Sequence, residues 1–209
     1  RGLVGAASRL GGTMNAGPGH NGGPSLEGGA TWRTHCWRAA REALLPKLPI
    51  EVVRLRVKRA REIGLDYRTY SGLRAATGHD LVAFLFSTNA LSLLRDQDRM
   101  RADEAAKLAR LSGIVQLVAV QPPLDPARIA ATLAAQSVPV TASAPAPGLA
   151  EGWRATRERL LGFAAIARTP ADRILVIGDT ALEADWAATA RMAGYLSAAR
   201  FFGPDATAR

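Results

Sequence analysis

Cysteine is almost absent from this 209-residue chain, and long apolar runs are missing altogether. The single cysteine, Cys36, excludes an internal disulfide and any metal site built from several cysteines, and it fits a reducing cytoplasm. No apolar run approaches the roughly 18 residues that are needed to cross a bilayer. The sequence therefore predicts a cytoplasmic protein without a membrane partner.

Lysine is also scarce, at three residues, yet the chain carries a formal net charge of +9. The positive charge is concentrated in one region. Residues 31–79 hold eleven Lys and Arg against four Asp and Glu, whereas residues 113–209 hold nine against eight. A polyanion would bind to the first of these regions. The alternative explanation is a base composition that favours arginine codons, because arginine outnumbers lysine throughout the chain.

Apolar residues are abundant, at 48% beside 22% charged residues, as is typical of a globular protein with a buried core. The local composition divides the chain into three parts. Residues 1–30 form a tail rich in glycine and proline, which cannot bury enough side chain to offset its backbone entropy. Residues 31–78 are predicted to be a basic helical region, and residues 79–209 an α/β domain.

Three helices are predicted in the basic region, over residues 32–45, 50–63 and 67–76. Pro46 ends the first and Gly64 ends the second. Asp66 caps the third, and Gly78 closes it. On the second helix, three cations recur at i, i+4 and i+7 and form a stripe on one face. They are Arg54, Lys58 and Arg61.

The second and third helices resemble a helix-turn-helix. The small residue Ala60 lies four positions before Gly64, and Tyr70 and Leu73 are placed to pack back on the preceding helix. The resemblance implies that the second helix of the pair faces a DNA groove or its phosphates. The residues that would do so are Arg68, Thr69, Ser71 and Arg74. The alternative is an ordinary helical hairpin with a solvated basic face.

From residue 79 onwards, apolar runs alternate with segments of helical composition. Strands are predicted over residues 81–86, 114–120, 138–142 and 174–178, with helices over 102–111, 125–136 and 149–167 and from Leu182. Asp125 is expected to cap the second of these helices, with Pro126 in its first turn. The first run equally fits the start of a buried helix that extends to Leu94. Strand–helix alternation predicts a small Rossmann-like, mainly parallel sheet of about four strands flanked by helices.

Polar side chains follow the predicted strands, where open parallel sheets bind ligands. Candidate ligand-binding residues at these carboxyl ends are Ser87, Thr88, Asn89, Gln121, Thr141, Ser143, Asp179 and Thr180. The last strand is of particular interest because a carboxylate, Asp179, follows it directly. A structural role is the alternative for Asp179, since an Asp after a strand commonly caps the next helix, here through amides around Leu182. The two roles are compatible.

The segment Gly178-Asp179-Thr180, with Glu183 and the later stretch 190–194, resembles the fourth motif of the haloacid-dehalogenase-like hydrolases. The resemblance implies that Asp179 binds Mg²⁺ for phosphoryl transfer, with Glu183 or Asp185 as the second acid. The first motif of that superfamily requires an Asp nucleophile and another Asp two residues later. Residues 84–91 stand at the corresponding place and contain no acid, which removes the phosphoaspartyl intermediate and one metal ligand.

These features predict a non-catalytic or catalytically degenerate α/β protein that acts as a binding module. Its basic N-terminal helices suggest association with a nucleic acid. One alternative is a divergent Mg²⁺-dependent phosphohydrolase that uses Asp179. Another is a module for protein interaction or dimerisation.

Overall fold

The structure is a computed structural model, and it describes residues 48–203. The predicted tail 1–30 and the helix predicted over 32–45 lie outside the described residues. Within residues 48–203, no helix combines the length and the apolarity that are needed to span a bilayer.

Five parallel strands form one sheet, in the order β3-β2-β1-β4-β5. The strands are β1 (Ala83–Ser87), β2 (Val115–Val120), β3 (Ala142–Pro145), β4 (Ile174–Gly178) and β5 (Gly194–Ser197). Phe86 of the central strand β1 pairs with Val118 on one side and Ile177 on the other. The central strands are continuous apolar runs because helices cover both faces of the sheet. The predicted α/β class with a parallel sheet is confirmed.

Seven α-helices lie within the described residues. They are α1 (Ile50–Glu62), α2 (Tyr67–Thr77), α3 (Ala102–Arg110), α4 (Pro126–Ala135), α5 (Trp153–Ile166), α6 (Ala181–Thr189) and α7 (Ala198–Phe202). Helices α1–α4 and α7 pack on the sheet face that carries Phe84 and Phe86. Helices α5 and α6 pack on the opposite face, where Phe163 and Trp186 are buried. The result is a three-layer α/β/α arrangement.

Several predictions about individual elements are confirmed. Residues 83–87 form a strand and not the start of a helix, because β1 pairs with both β2 and β4. The side chain of Asp66 accepts a hydrogen bond from the Thr69 amide at the start of α2, and Gly78 ends α2 in the left-handed conformation. Asp125 caps α4, with Pro126 as its first residue.

The strand predicted over 138–142 is wrong, since β3 lies at Ala142–Pro145. Val138 is buried, and its amide donates to the Leu133 carbonyl, so it closes α4 instead of pairing with β2. The proline is tolerated because β3 is an edge strand. Thr141 therefore precedes β3, and Ser143 lies within β3 and donates to the Pro126 carbonyl, so neither side chain lies at the carboxyl end of the strand.

Two further corrections concern the number of strands and the start of α5. The sheet has five strands where about four were predicted, because β5 and the short helix α7 follow α6 where no strand was predicted. Helix α5 begins at Trp153 and not at Leu149, and Trp153 is 66% exposed.

The helices α1 and α2 share a core with the sheet, and residues 49–203 belong to one compact unit. Arg59 of α1 fixes this packing. Its Nη2 donates to the carbonyls of Leu81 and Gly113, each at 3.0 Å, and its Nε donates to Asp80. The other oxygen of Asp80 accepts from the Tyr70 hydroxyl at 2.8 Å. Burial, together with this bond, raises the pKa of Tyr70.

We expect Arg59→Ala to lower the free energy of unfolding by about 2–3 kcal/mol, because it removes charge-assisted bonds that join α1 to the amino ends of β1 and β2. Arg54→Ala on the same helix is the matched control, since Arg54 makes an exposed pair with Glu51 and its loss costs at most about 0.5 kcal/mol. Urea denaturation measures both. Equal effects of the two substitutions would contradict this role of Arg59.

Candidate functional site

The carboxyl ends of β1 and β4 lie side by side at the centre of the sheet. From β1 the chain moves to β2 on one side, and from β4 it moves to β5 on the other. The crevice between β1 and β4 is therefore a topological switch point, where open α/β sheets bind ligands. The structure brings the segment 87–89 next to the segment 178–180.

After β1, two of the three polar candidates are turned inward. Ser87 and Thr88 are fully buried. The Ser87 hydroxyl accepts from the Ala90 amide at 3.0 Å, and the Thr88 hydroxyl accepts from the Gln121 amide at 3.1 Å. These two hydroxyls therefore hold the loops after β1 and β2. Asn89 is the only one of the three that is partly exposed.

After β4, a capping box begins α6. Thr180 is the N-cap residue, and its hydroxyl accepts from the Glu183 amide. Oε2 of Glu183 accepts in return from the amides of Asp179 and Thr180, at 2.6 and 3.0 Å. The prediction that the Asp179 side chain caps α6 is therefore wrong. Thr180, one residue later, caps the helix, because its hydroxyl reaches the third amide of α6.

Glu183 also joins the two strand ends. Its side chain is fully buried, and Oε1 accepts from Nδ2 of Asn89 at 2.9 Å. Gly178 is needed for this arrangement, because a Cβ there would lie 2.7 Å from the Glu183 Cβ and 2.9 Å from the Tyr195 ring. Both oxygens of the Glu183 carboxylate are thus bound to groups of the protein.

A cleft of about 550 Å³ opens above this junction, and we call it the switch-point cleft. The residues important for its chemistry are Asn89, Arg101, Glu104, Asp179 and Phe202. Asp179 is exposed, and its carboxylate has no hydrogen-bond partner in the described part of the chain. Oε2 of Glu104 is buried and likewise without a partner there, and burial raises the pKa of Glu104.

The acids that the hydrolase resemblance assigns to Mg²⁺ do not fit a common metal site. Both carboxylate oxygens of Glu183 already accept hydrogen bonds, one from the backbone amides of the capping box and the other from Asn89. Asp185 is exposed and follows Glu183 by two residues, about 200° around α6. Of the three acids that the resemblance names, only Asp179 lines the cleft. Among residues 48–203, no group of three or more His, Cys, Asp or Glu is placed to hold a metal ion.

A second concave surface lies beside the cleft and is basic. It consists of two pockets of about 420 and 330 Å³ that share Gly64, Lys107 and Gly203. We call this surface the basic groove and define it by its cations, Arg61, Arg68, Lys107, Arg110 and Arg200. Its acidic residues are fewer, namely Asp66, Asp103 and Glu104. The groove is therefore net positive.

The structure separates the residues that were predicted to bind nucleic acid. Arg61 and Arg68 line the basic groove. Arg54 and Lys58 are exposed on α1 and lie near Glu51 and Glu62. The other three make local contacts: Arg74 lies 3.6 Å from Asp80, Thr69 bonds to Asp66 and Arg200, and Ser71 donates to the Arg68 carbonyl.

Sequence reasoning missed Lys107, Arg110 and Arg200. Lys107 and Arg110 are a pair at i and i+3 near the end of α3, which was a recognisable signal of a shared helix face. Arg200 belongs to α7, a helix that was not predicted. Lys107 donates to the Phe201 carbonyl and lies over the Phe201 ring, which fixes it at the centre of the groove.

The fold thus belongs to the Rossmann-like class of α/β proteins, with a cleft at its switch point and a basic groove beside it. The chain matches no protein-family model, no curated protein and no solved structure.

We expect Glu183→Ala to lower the free energy of unfolding by about 2–3 kcal/mol, because it removes the carboxylate half of the capping box and leaves three N–H donors without their acceptor. Asp185→Ala, an exposed acid of the same helix, is expected to change it by no more than about 0.5 kcal/mol. Chemical denaturation measures both. If Glu183→Ala left the free energy of unfolding unchanged, this carboxylate would not hold the two strand ends together.

Proposed function

We propose that this protein is a non-catalytic binding module that binds the phosphate backbone of a nucleic acid along the basic groove. The observation that supports it is the convergence of five cations from separate elements on one concave surface. Arg61 and Arg68 come from the α1–α2 hairpin, Lys107 and Arg110 from α3, and Arg200 from α7.

The chemistry of the groove suits phosphate. Four of its five cations are arginines, whose planar guanidinium groups donate paired hydrogen bonds to phosphate oxygens. Neutralising phosphates also releases the counterions that surround a nucleic acid, which supplies most of the sequence-independent binding free energy. Arg54 and Lys58 are exposed on α1 in the same stripe as Arg61, and Glu51 and Glu62 pair with them.

The non-catalytic part of the proposal is supported by the polar side chains near the carboxyl ends of the strands, several of which are buried and hydrogen-bonded within the protein. Ser87, Thr88 and Glu183 are buried and bonded to nearby backbone or amide groups. Asp179 lines the cleft, but Glu183 is bonded internally, and no group of three or more His, Cys, Asp or Glu among the described residues is placed to hold a metal ion.

We expect the purified protein to bind fluorescently labelled oligonucleotides with an affinity that falls steeply as salt rises. The double substitution Arg61→Ala and Arg68→Ala should weaken binding to every sequence, and it should reduce the slope of log K against log[salt] by about 2. Fluorescence anisotropy between 50 and 200 mM salt measures both quantities. Arg154→Ala with Arg168→Ala is the matched control, because it removes the same charge from the opposite layer of the fold.

Two results would contradict the proposal in different ways. Absence of oligonucleotide binding at low salt would contradict nucleic-acid association and support the protein-interaction alternative. Mg²⁺-dependent hydrolysis of p-nitrophenyl phosphate that is lost in Asp179→Asn would contradict the non-catalytic assignment and support the phosphohydrolase alternative.

A further inference from the structure

The basic groove and the switch-point cleft are neighbours that share one wall. The larger pocket of the groove and the cleft are both lined by Asp103, Glu104, Phe202 and Gly203. The Phe202 ring is only partly buried, and it is held edge-to-face against Phe201 with ring centroids 4.9 Å apart. The wall between the cationic surface and the polar cleft therefore combines an aromatic ring with two carboxylates.

We propose that the nucleic acid is single-stranded and that one unpaired guanine enters the switch-point cleft, where it stacks on Phe202 and donates to Asp179. This inference rests on the proposed function, since the phosphates of the same strand lie in the basic groove. It adds the form of the nucleic acid and the base that is recognised.

The single-stranded form follows from the position of the aromatic ring. In a duplex, each base is paired and stacked, so its face cannot reach a ring on a protein surface. A single strand can turn one base out of the stack while its backbone stays in a positive groove, and aromatic side chains commonly receive such bases. A cleft of about 550 Å³ has room for one nucleotide.

The choice of guanine follows from the donors and acceptors in the cleft. The Asp179 carboxylate is exposed there and has no hydrogen-bond partner among the described residues. Its two oxygens can only accept, and the Watson–Crick edge of guanine carries two adjacent N–H donors at N1 and N2, which suits a bidentate contact. Uracil, thymine and cytosine do not present two adjacent donors on that edge, and neither does adenine.

The decisive experiment compares three labelled 12-mers by fluorescence anisotropy at fixed salt: oligothymidine, the same strand with one central guanine, and the corresponding duplex. We expect the guanine-containing strand to bind most tightly. Phe202→Leu, which keeps an apolar side chain but removes the ring, should weaken its binding about fivefold to a hundredfold. Phe202→Tyr, which keeps a ring face, should retain the affinity.

Asp179→Asn tests the base contact separately from stacking. It should abolish the preference for guanine over thymine and leave the salt dependence unchanged, because the phosphate contacts lie in the basic groove. Thermal unfolding of each variant establishes that the fold is intact. Guanosine monophosphate is the competitor that distinguishes a strand from a free nucleotide, and we expect it to compete only weakly.

The possible failures are distinguishable. Equal binding of duplex and single strand, or no effect of Phe202→Leu in a folded protein, would overturn this inference while leaving backbone binding intact. If guanosine monophosphate bound as tightly as the 12-mer, the ligand would be a free nucleotide and not a strand, and the inference would be wrong. Loss of all oligonucleotide binding would overturn the proposed function itself.

Discussion

The buried carboxylate of Glu183 holds the central crevice of this fold together. One of its oxygens accepts from the backbone after β4, and the other accepts from Asn89 after β1. A buried acceptor is costly unless donors surround it, so these bonds fix the two loops relative to each other. The packing of Glu183 against Gly178 adds a steric constraint, because no side chain fits at that position. The shape of the switch-point cleft depends on this junction.

At the opposite end of the sheet, Arg59 has a comparable role. It binds carbonyls that precede β1 and β2, and together with Asp80 and Tyr70 it ties the α1–α2 hairpin to the sheet. This attachment places the turn at Gly64 beside α3 and α7. The basic groove exists because three chain segments, distant in sequence, meet there, and their cations would be scattered if the hairpin were not docked.

Sequence reasoning recovered most of the fold because local signals and tertiary structure agree in it. The apolar runs at 83–87 and 174–178 are buried on both faces, and Asp66, Gly78 and Asp125 cap the helices as their chemistry suggests. The wrong predictions concern segments where the apolar pattern in the sequence is only a few residues long. The four-residue β5 has no long apolar run, and Val138 satisfies the pattern of a strand but packs beneath α4.

The candidate site was less predictable from the sequence, for two physical reasons. The exposure of a polar residue after a strand depends on bonds that a linear pattern does not contain, so Ser87 and Thr88 could not be distinguished from Asn89 before their partners were known. Predicting the basic groove would require knowing where Arg200 lies relative to Arg68. These two residues belong to helices that are far apart in the chain.

The proposal of binding without catalysis rests on the distribution of polar groups at the rim of the sheet. Catalysis of phosphoryl transfer requires several charged groups aimed at one reacting centre. Here Glu183 is directed inward and bonded, and the five cations of the basic groove lie outside the cleft, where Arg101 is the lining cation among the described residues. The proposed binding of a single strand uses two separate sites. The phosphates would lie in the basic groove, and the edge of one base would form hydrogen bonds in the switch-point cleft. The ring of Phe202 lies at the border between these two sites, where the sugar of a bound strand would connect phosphate to base.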